Sequence, residues 1–390
     1  MEYNNLTPLP SMAFETLGPG DQEAHVVVTR GSFDISDDGQ LVLSQNQRPL
    51  VETDEYYGNH DRTSIRQESD MAPFKPKCDI ILAATAYAPG GWPAQRFEVG
   101  IKVSSRESVI ADKRLVVTGP RIWKERLIFW GWKLEKPTPT KSVPLRYEYA
   151  YGGNCRIEMN DRAIKRVNKK RWLTSAQRQQ HNDGPEHAPV AQSACLSNPV
   201  GLGYAEEWYW KATKIWKIPA PQIESPDDPI RKFGVSYRPE GFGVFAKVWQ
   251  PRLKLAGTYD EAWLADEHPL PPKDFNFAYW NCAHPDLQVP WLRGDEHFDL
   301  TNLTPDGRLA FDLPVHLVYL LAEYETGSIV PVTMNIDTVF IEPDAKRVSL
   351  VWRALIPSKP EIHSLEGRMV LPENKAAQEN VRTLTELVHG

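Results

Sequence analysis

"VPVTMNIDTVFIEPDAKRVSLVWRALIP", residues 330–357, decides how this chain is read. Val339 and Ile341 lead into a Glu-Pro-Asp-Ala-Lys-Arg turn, after which Val348, Leu350 and Trp352 recur at every second position. A spacing of two puts those side chains on one face of a strand. The stretch therefore predicts two antiparallel strands joined by a short reversal. The same design recurs elsewhere. "SFDISDDGQLVLS" (32–44) and "NLTPDGRLAFDLP" (302–314) each place an Asp-Gly pair, Asp38-Gly39 and Asp306-Gly307, between two apolar runs. Asp-Gly tolerates the positive φ angles of tight hairpins. In "RFEVGIKVS" (96–104), Phe97, Val99, Ile101 and Val103 alternate with Arg96, Glu98, Gly100 and Lys102, which predicts one buried and one wet face. "CDIILAATAYA" (78–88) and "KRLVVTG" (113–119) read as further strands.

With 33 prolines in 390 residues, strands should be short and loops long. The expected class is mainly β: antiparallel β-sandwich-like modules with long Pro/Gly-rich loops and few short helices. We divide the chain into an N-terminal β module (1–155), an irregular basic and Trp/Pro-rich excursion (156–240), a C-terminal β module (241–357) and a tail helix (358–390). The helix rests on "PENKAAQENVRTLTELVHG", with Pro372 in its first turn and an apolar stripe of Val381, Leu384 and Val388.

A net charge of −6 argues against a uniformly basic nucleic-acid binder. No apolar run approaches the ~18–20 residues of a membrane helix. "MEYNNLTPLPSMAFETLGPGDQ" has neither the basic nor the apolar region of a signal peptide, so a cytoplasmic location is expected. Cys78, Cys155, Cys195 and Cys282 lie far apart and read as reduced, buried thiols.

The search for chemistry yields little. The glycines of "YGGN" (151–154), "GLGY" (201–204) and "GFGVF" (241–245) do not continue into a phosphate loop and read as turns. Cys155 has no recognisable histidine partner. His284 with Asp286, and His297 with Asp299, lack the further ligands a metal site needs. We therefore expect no catalytic, cofactor or metal residues. Carboxylates near Trp263, Trp280 and Trp291 keep a carbohydrate-active or carbohydrate-binding reading open, with Asp260, Asp274 and Asp295 as its acids.

An ordered series of motifs then comes into view: "VVVTRGSFDI" (26–35), "ESDMAPFKPKCDIILAATAYAP" (68–89), "VTGPRIW" (117–123), "PLRYEYAYGG" (144–153), "NPVGLGY" (198–204), "RPEGFGVFAKVWQPRLKLAGTYDEAWL" (238–264), "LPPKDFNFAYWNCAHPDLQ" (270–288), "LRGDEHFDLTNL" (292–303) and "IDTVFIEPDAKRVSLVWRA" (336–354). This series resembles a bacterial family, catalogued as a domain of unknown function, that is associated with type VI secretion. The resemblance implies an adaptor or chaperone encoded beside spike, PAAR-type tip and toxin genes. Its partners would be an effector toxin and/or a PAAR-type tip protein, and the spike itself. It implies no catalytic or cofactor residue.

A partner needs a surface. Trp208, Trp210 and Trp216 stand in a polar, proline-flanked stretch that is not expected to bury all three. The basic run Arg162, Lys165, Arg166, Lys169, Lys170 and Arg171 suits an acidic partner. Within "GTYDEAWLADEHPLPPKDFNFAYWNCAHPDLQ" (257–288), Tyr259, Trp263 and Trp280 offer large rigid rings, and we read that segment as a folded frame lending part of a binding surface. A structural component of the secretion machine is a third reading.

Overall fold

The computed structural model describes residues 1–106, 108–126, 131–157, 163 and 191–371. In chain order, the strands that carry the architecture begin with β1 (Ser11–Leu17), β2 (Glu23–Ile35), β3 (Cys78–Leu82), β4 (Arg96–Ser104), β5 (Val109–Thr118) and β6 (Gln288–Val289). They continue with β7 (His297–Thr301), β8 (Leu317–Tyr324), β9 (Ile329–Thr333), β10 (Asn335–Glu342), β11 (Arg347–Pro357) and β12 (Ile362–Val370).

The largest sheet has seven strands. Its main path runs β1-β2-β11-β10-β3-β6, with Leu41–Leu43 paired beside β2. A five-stranded sheet places β5, β4 and β7 between the edge strands Ile223–Glu224 and Arg308–Asp312. A four-stranded sheet runs Glu2–Asn5, β12, β8, β9. Val27, Phe33, Ile80 and Trp352 from the first sheet, Phe97, Val99 and Leu300 from the second, and Val318, Leu320 and Leu365 from the third share one core. The class is mainly β and sandwich-like.

The local readings explain these elements. β10 and β11 form the hairpin expected from 330–357, closed by a short 3-10 turn over Pro343–Ala345. The hairpins at 32–44 and 302–314 turn on Gly39 and Gly307, with φ of 79° and 84°. In β4, Phe97, Val99, Ile101 and Val103 are buried while Arg96, Glu98 and Lys102 are exposed; Gly100 is buried as well. β11 is different. From Val348 to Ala354 every residue is buried, as a strand covered on both faces requires.

The two-module division does not describe how the sheets are assembled. β2 from the N-terminal half pairs with β11 from the C-terminal half, and β4 pairs with β7. β3 lies parallel to β10, and Glu2–Asn5 lies parallel to β12, so the sheets are not wholly antiparallel. The physical reason is that two-sided apolar strands need neighbours on both edges and cover on both faces, which one half cannot supply. Within 358–390, residues Ile362–Val370 form a strand rather than a helix. The expected helix at 372–390 lies outside the described residues, as does the basic run Arg162, Lys165, Arg166, Lys169, Lys170 and Arg171.

Candidate partner-binding surface

One cluster of titratable groups has the geometry of a metal site. Ligand atoms of Glu240, His284 and Asp286 all lie within 4.8 Å of one another. The chain supplies its own cation there. The Lys113 ammonium, on β5, stands 2.6 Å from Glu240 Oε2, 2.9 Å from Asp286 Oδ2 and 3.5 Å from His284 Nε2. Arg238 Nη2 approaches Asp286 Oδ1 at 3.1 Å and His284 Nδ1 at 3.3 Å. His284 is fully buried, and its Nδ1 accepts from the Asp286 amide at 3.3 Å. Burial, then the Lys113 and Arg238 charges, hold its pKa down to about 2. Burial works to raise the pKa of Asp286, yet it too is lowered to about 2, because the bond from Lys113 and the Lys113 and Arg238 charges outweigh that effect. A neutral ring between two cations and two carboxylates is a structural knot joining β5 to the 238–240 and 284–286 loops.

The knot has a pH signature. His284 takes up its proton near pH 6.5 in the unfolded chain but only near 2 in the folded one. The unfolded state therefore binds more protons below ~6.5, and stability falls as pH drops. The contribution of this group is about 1.4 kcal/mol per pH unit through that window, and Asp286 adds to the loss below ~4. Unfolding titrations at pH 7, 6 and 5 should show a shallower slope for His284→Asn, by about one proton.

The 257–288 segment is indeed a frame. Asp260 caps the short helix α2 of the described residues (Glu261–Asp266; α1 is Glu207–Thr213) by accepting from the Trp263 amide at 2.9 Å. Asp274 accepts from the Thr258 amide and hydroxyl at 2.9 and 2.8 Å, and those bonds lower its pKa. Asp295 is exposed, while its neighbour Glu296 is turned inward to accept from the Arg293 and Gly294 amides. Two of the three carboxylates considered for sugar chemistry are thus holding backbone. Tyr259 packs on Trp263 with ring centroids 4.7 Å apart, and Trp263 Nε1 donates to the Leu270 carbonyl. Trp280 is half-buried against Tyr279, with the Lys247 ammonium 5.9 Å from its ring. Tyr259 and Leu264 remain 58% and 63% exposed.

The three tryptophans of the middle segment separate. On α1, Trp208 and Ala212 are one turn apart and face inward, packing with Cys155 and Ile157; Trp208 is only 4% exposed. This corrects its assignment to the partner surface: it is core. Two residues on, Trp210 projects about 200° away around the helix. There it meets Trp132 edge-to-face at 5.4 Å, and Trp132 stacks on Phe233 at 4.3 Å. Trp216 is 53% exposed, with the Lys217 ammonium 4.4 Å from its ring.

Trp210, Trp132, Phe233 and Tyr151 line an open cleft of about 740 Å³. Leu196, 67% exposed, stands on its rim. The Gln250 amide donates to the Leu196 carbonyl at 2.8 Å, tying the rim to the 245–256 loop, where Val248 is 70% exposed. Trp132, Phe233 and Leu196 were not among the residues expected from sequence; they come from three separate segments. In sequence Trp132 and Phe233 show only as single rings between glycine and lysine neighbours, in "GWKL" and "KFGV".

A family model described as "Uncharacterized protein conserved in bacteria (DUF2169)" matches residues 20–353. No curated protein and no solved structure matches the chain.

Proposed function

The chain belongs to this conserved bacterial family, and on that premise we propose that it is a non-catalytic adaptor or chaperone for a type VI secretion effector. It binds the effector toxin or its PAAR-type tip region in the cytoplasm and assists loading onto the spike. The observation that carries the reading is the aromatic cleft. Large rings on a strand, a helix and a loop are held together, Trp132 edge-to-face with Trp210 and stacked on Phe233, and a leucine 67% exposed stands at the rim. Aromatic anchors on a rigid support, ringed by polar groups, are what a protein interface uses to gain affinity. Glu206 and Glu207 stand beside the rings and suit polar contacts at such a rim. The proximity of Lys113 to Glu240, His284 and Asp286 supports a structural rather than catalytic role for the one metal-like cluster found among the described residues. No helix of the described residues is long and apolar enough to cross a membrane.

The test is affinity capture of the tagged full chain from its own host, washed at high salt, with partners identified by mass spectrometry. A stoichiometric toxin or PAAR-type tip protein is expected, and Leu196→Asp with Trp210→Ala should reduce its recovery about tenfold or more while leaving the thermal transition in place. Recovery of the chain alone, together with a saccharide-induced thermal shift, would replace this reading with the carbohydrate one.

A further inference from the structure

β11 runs past the end of its neighbour. The Ile35 amide donates to the Lys346 carbonyl at 2.8 Å, and the Ser358 amide donates to Glu23 at 2.9 Å. Even-numbered residues of β11 therefore bond toward β2, and odd-numbered residues toward β10. Arg353 stands opposite Asn335, where β10 begins. Leu355 faces the same way, but the chain that would stand opposite it has turned off. The Met334 amide donates to the Val318 carbonyl, and Thr333 pairs with Tyr319 in the four-stranded sheet. By this alternation the main-chain N–H and C=O of Leu355 point away from β2, and no strand is in register with Leu355 on that side among the described residues.

A pocket of about 350 Å³ opens at this point. Ala354 and Leu355 form one wall and Val332 and Thr333 another. Phe74 and Trp291, edge-to-face at 5.9 Å, also line it. Arg353, 4% exposed, is the second and independent observation. Its Nε is held by Asp337 and its Nη1 by the Ala72 carbonyl, while Nη2 is buried with no partner. Lys75, also in the lining, is bound to Asp79 and Thr338 at 2.9 Å each. Both cations already have a carboxylate. The donor left over therefore suits a neutral acceptor better than an anion.

We propose that this pocket receives a short extended segment of a partner polypeptide. The segment adds as a strand beside Leu355, bonds to its outward-pointing N–H and C=O, and sets a main-chain carbonyl on Arg353 Nη2. One apolar side chain rests against Phe74 and Trp291 in the pocket lining. A strand edge supplies affinity through main-chain bonds, and an adjoining pocket supplies selectivity. The site lies apart from the aromatic cleft and does not depend on which partner occupies that cleft.

A random decapeptide phage library panned against the full chain tests this, with enriched peptides remade synthetically. Leu355→Pro removes the outward N–H without taking a bond from the ladder with β2, and it also exchanges the leucine side chain for a ring, a change that Leu355→Ala controls for. It should weaken the peptides about tenfold, whereas Leu355→Ala, which keeps the N–H, should change affinity less than about threefold. Amide exchange at Leu355 in the unaltered chain should slow when peptide is added, a readout that survives even if Leu355→Pro fails to fold. Free-acid and amidated peptides should bind alike. No enrichment, equal binding to Leu355→Pro with unprotected Leu355, or a strict need for a free terminal carboxylate would each overturn the proposal.

Discussion

Replacing Arg252 with methionine should cost about 3–5 kcal/mol of stability, the largest effect we expect from one charged residue. Arg252 grips Glu68 with both terminal nitrogens, at 2.5 and 2.8 Å, and both residues are buried. It also donates to the carbonyls of Tyr279 and Phe245, at 2.7 and 2.6 Å. One guanidinium thus ties the 245–256 loop, the 277–280 turn and the Glu68 segment together. Methionine fills the space but leaves the Glu68 carboxylate and two carbonyls without their donor. The cost comes from that stranded charge rather than from the pair's own gain. Guanidinium denaturation should show the loss in the midpoint, and the double variant with Glu68→Leu should recover part of it. A loss below about 1 kcal/mol would mean that the frame does not depend on this pair.

Trp208→Ala should cost a comparable 3–5 kcal/mol, while Trp216→Ala should stay within about 0.5 kcal/mol of the parent. The two residues are eight positions apart in one tryptophan-rich stretch, yet one is 4% and the other 53% exposed. Trp208 fills a small cluster with Cys155, Ile157 and Ala212, and truncating it opens a cavity that β-strand and helix backbone cannot easily close. Trp216 is more than half exposed, and the Lys217 ammonium lies over its ring. Denaturation of the two single variants side by side checks the contrast; equal losses would contradict the burial assigned here. Any binding study must therefore probe this region through Trp210 and Leu196, because a Trp208 variant would report unfolding.

What the sequence disclosed, and what it withheld, follows from the range of each signal. The alternation in β4 and the Pro-Asp reversal between β10 and β11 are local, and both are seen in the structure. A period of two says which face a residue occupies but not which strand lies beside it. Nothing in β2 or β11 names the other as neighbour, and so the halves read as two modules although their strands interleave. The frame role of 257–288 was legible because Asp260 and Asp274 sit where caps and turns need them. The division of labour among Trp208, Trp210 and Trp216 was legible only once residues 207–213 were known to be helical, since a two-residue step then reverses direction. The knot of Lys113, Glu240 and His284 could not be read, because its members stand on three distant segments whose sequences show no spacing rule.

The central claim is that a partner docks at the aromatic cleft, and site-directed photocrosslinking in the native host tests it most directly. A photoreactive residue is placed at Leu196, on the cleft rim, and as a control at Val109, which is 53% exposed at the start of β5. The account predicts a discrete crosslink from position 196 to a toxin or PAAR-type tip protein and none from position 109. A secretion-related partner captured equally from both positions, or from 109 alone, would contradict it.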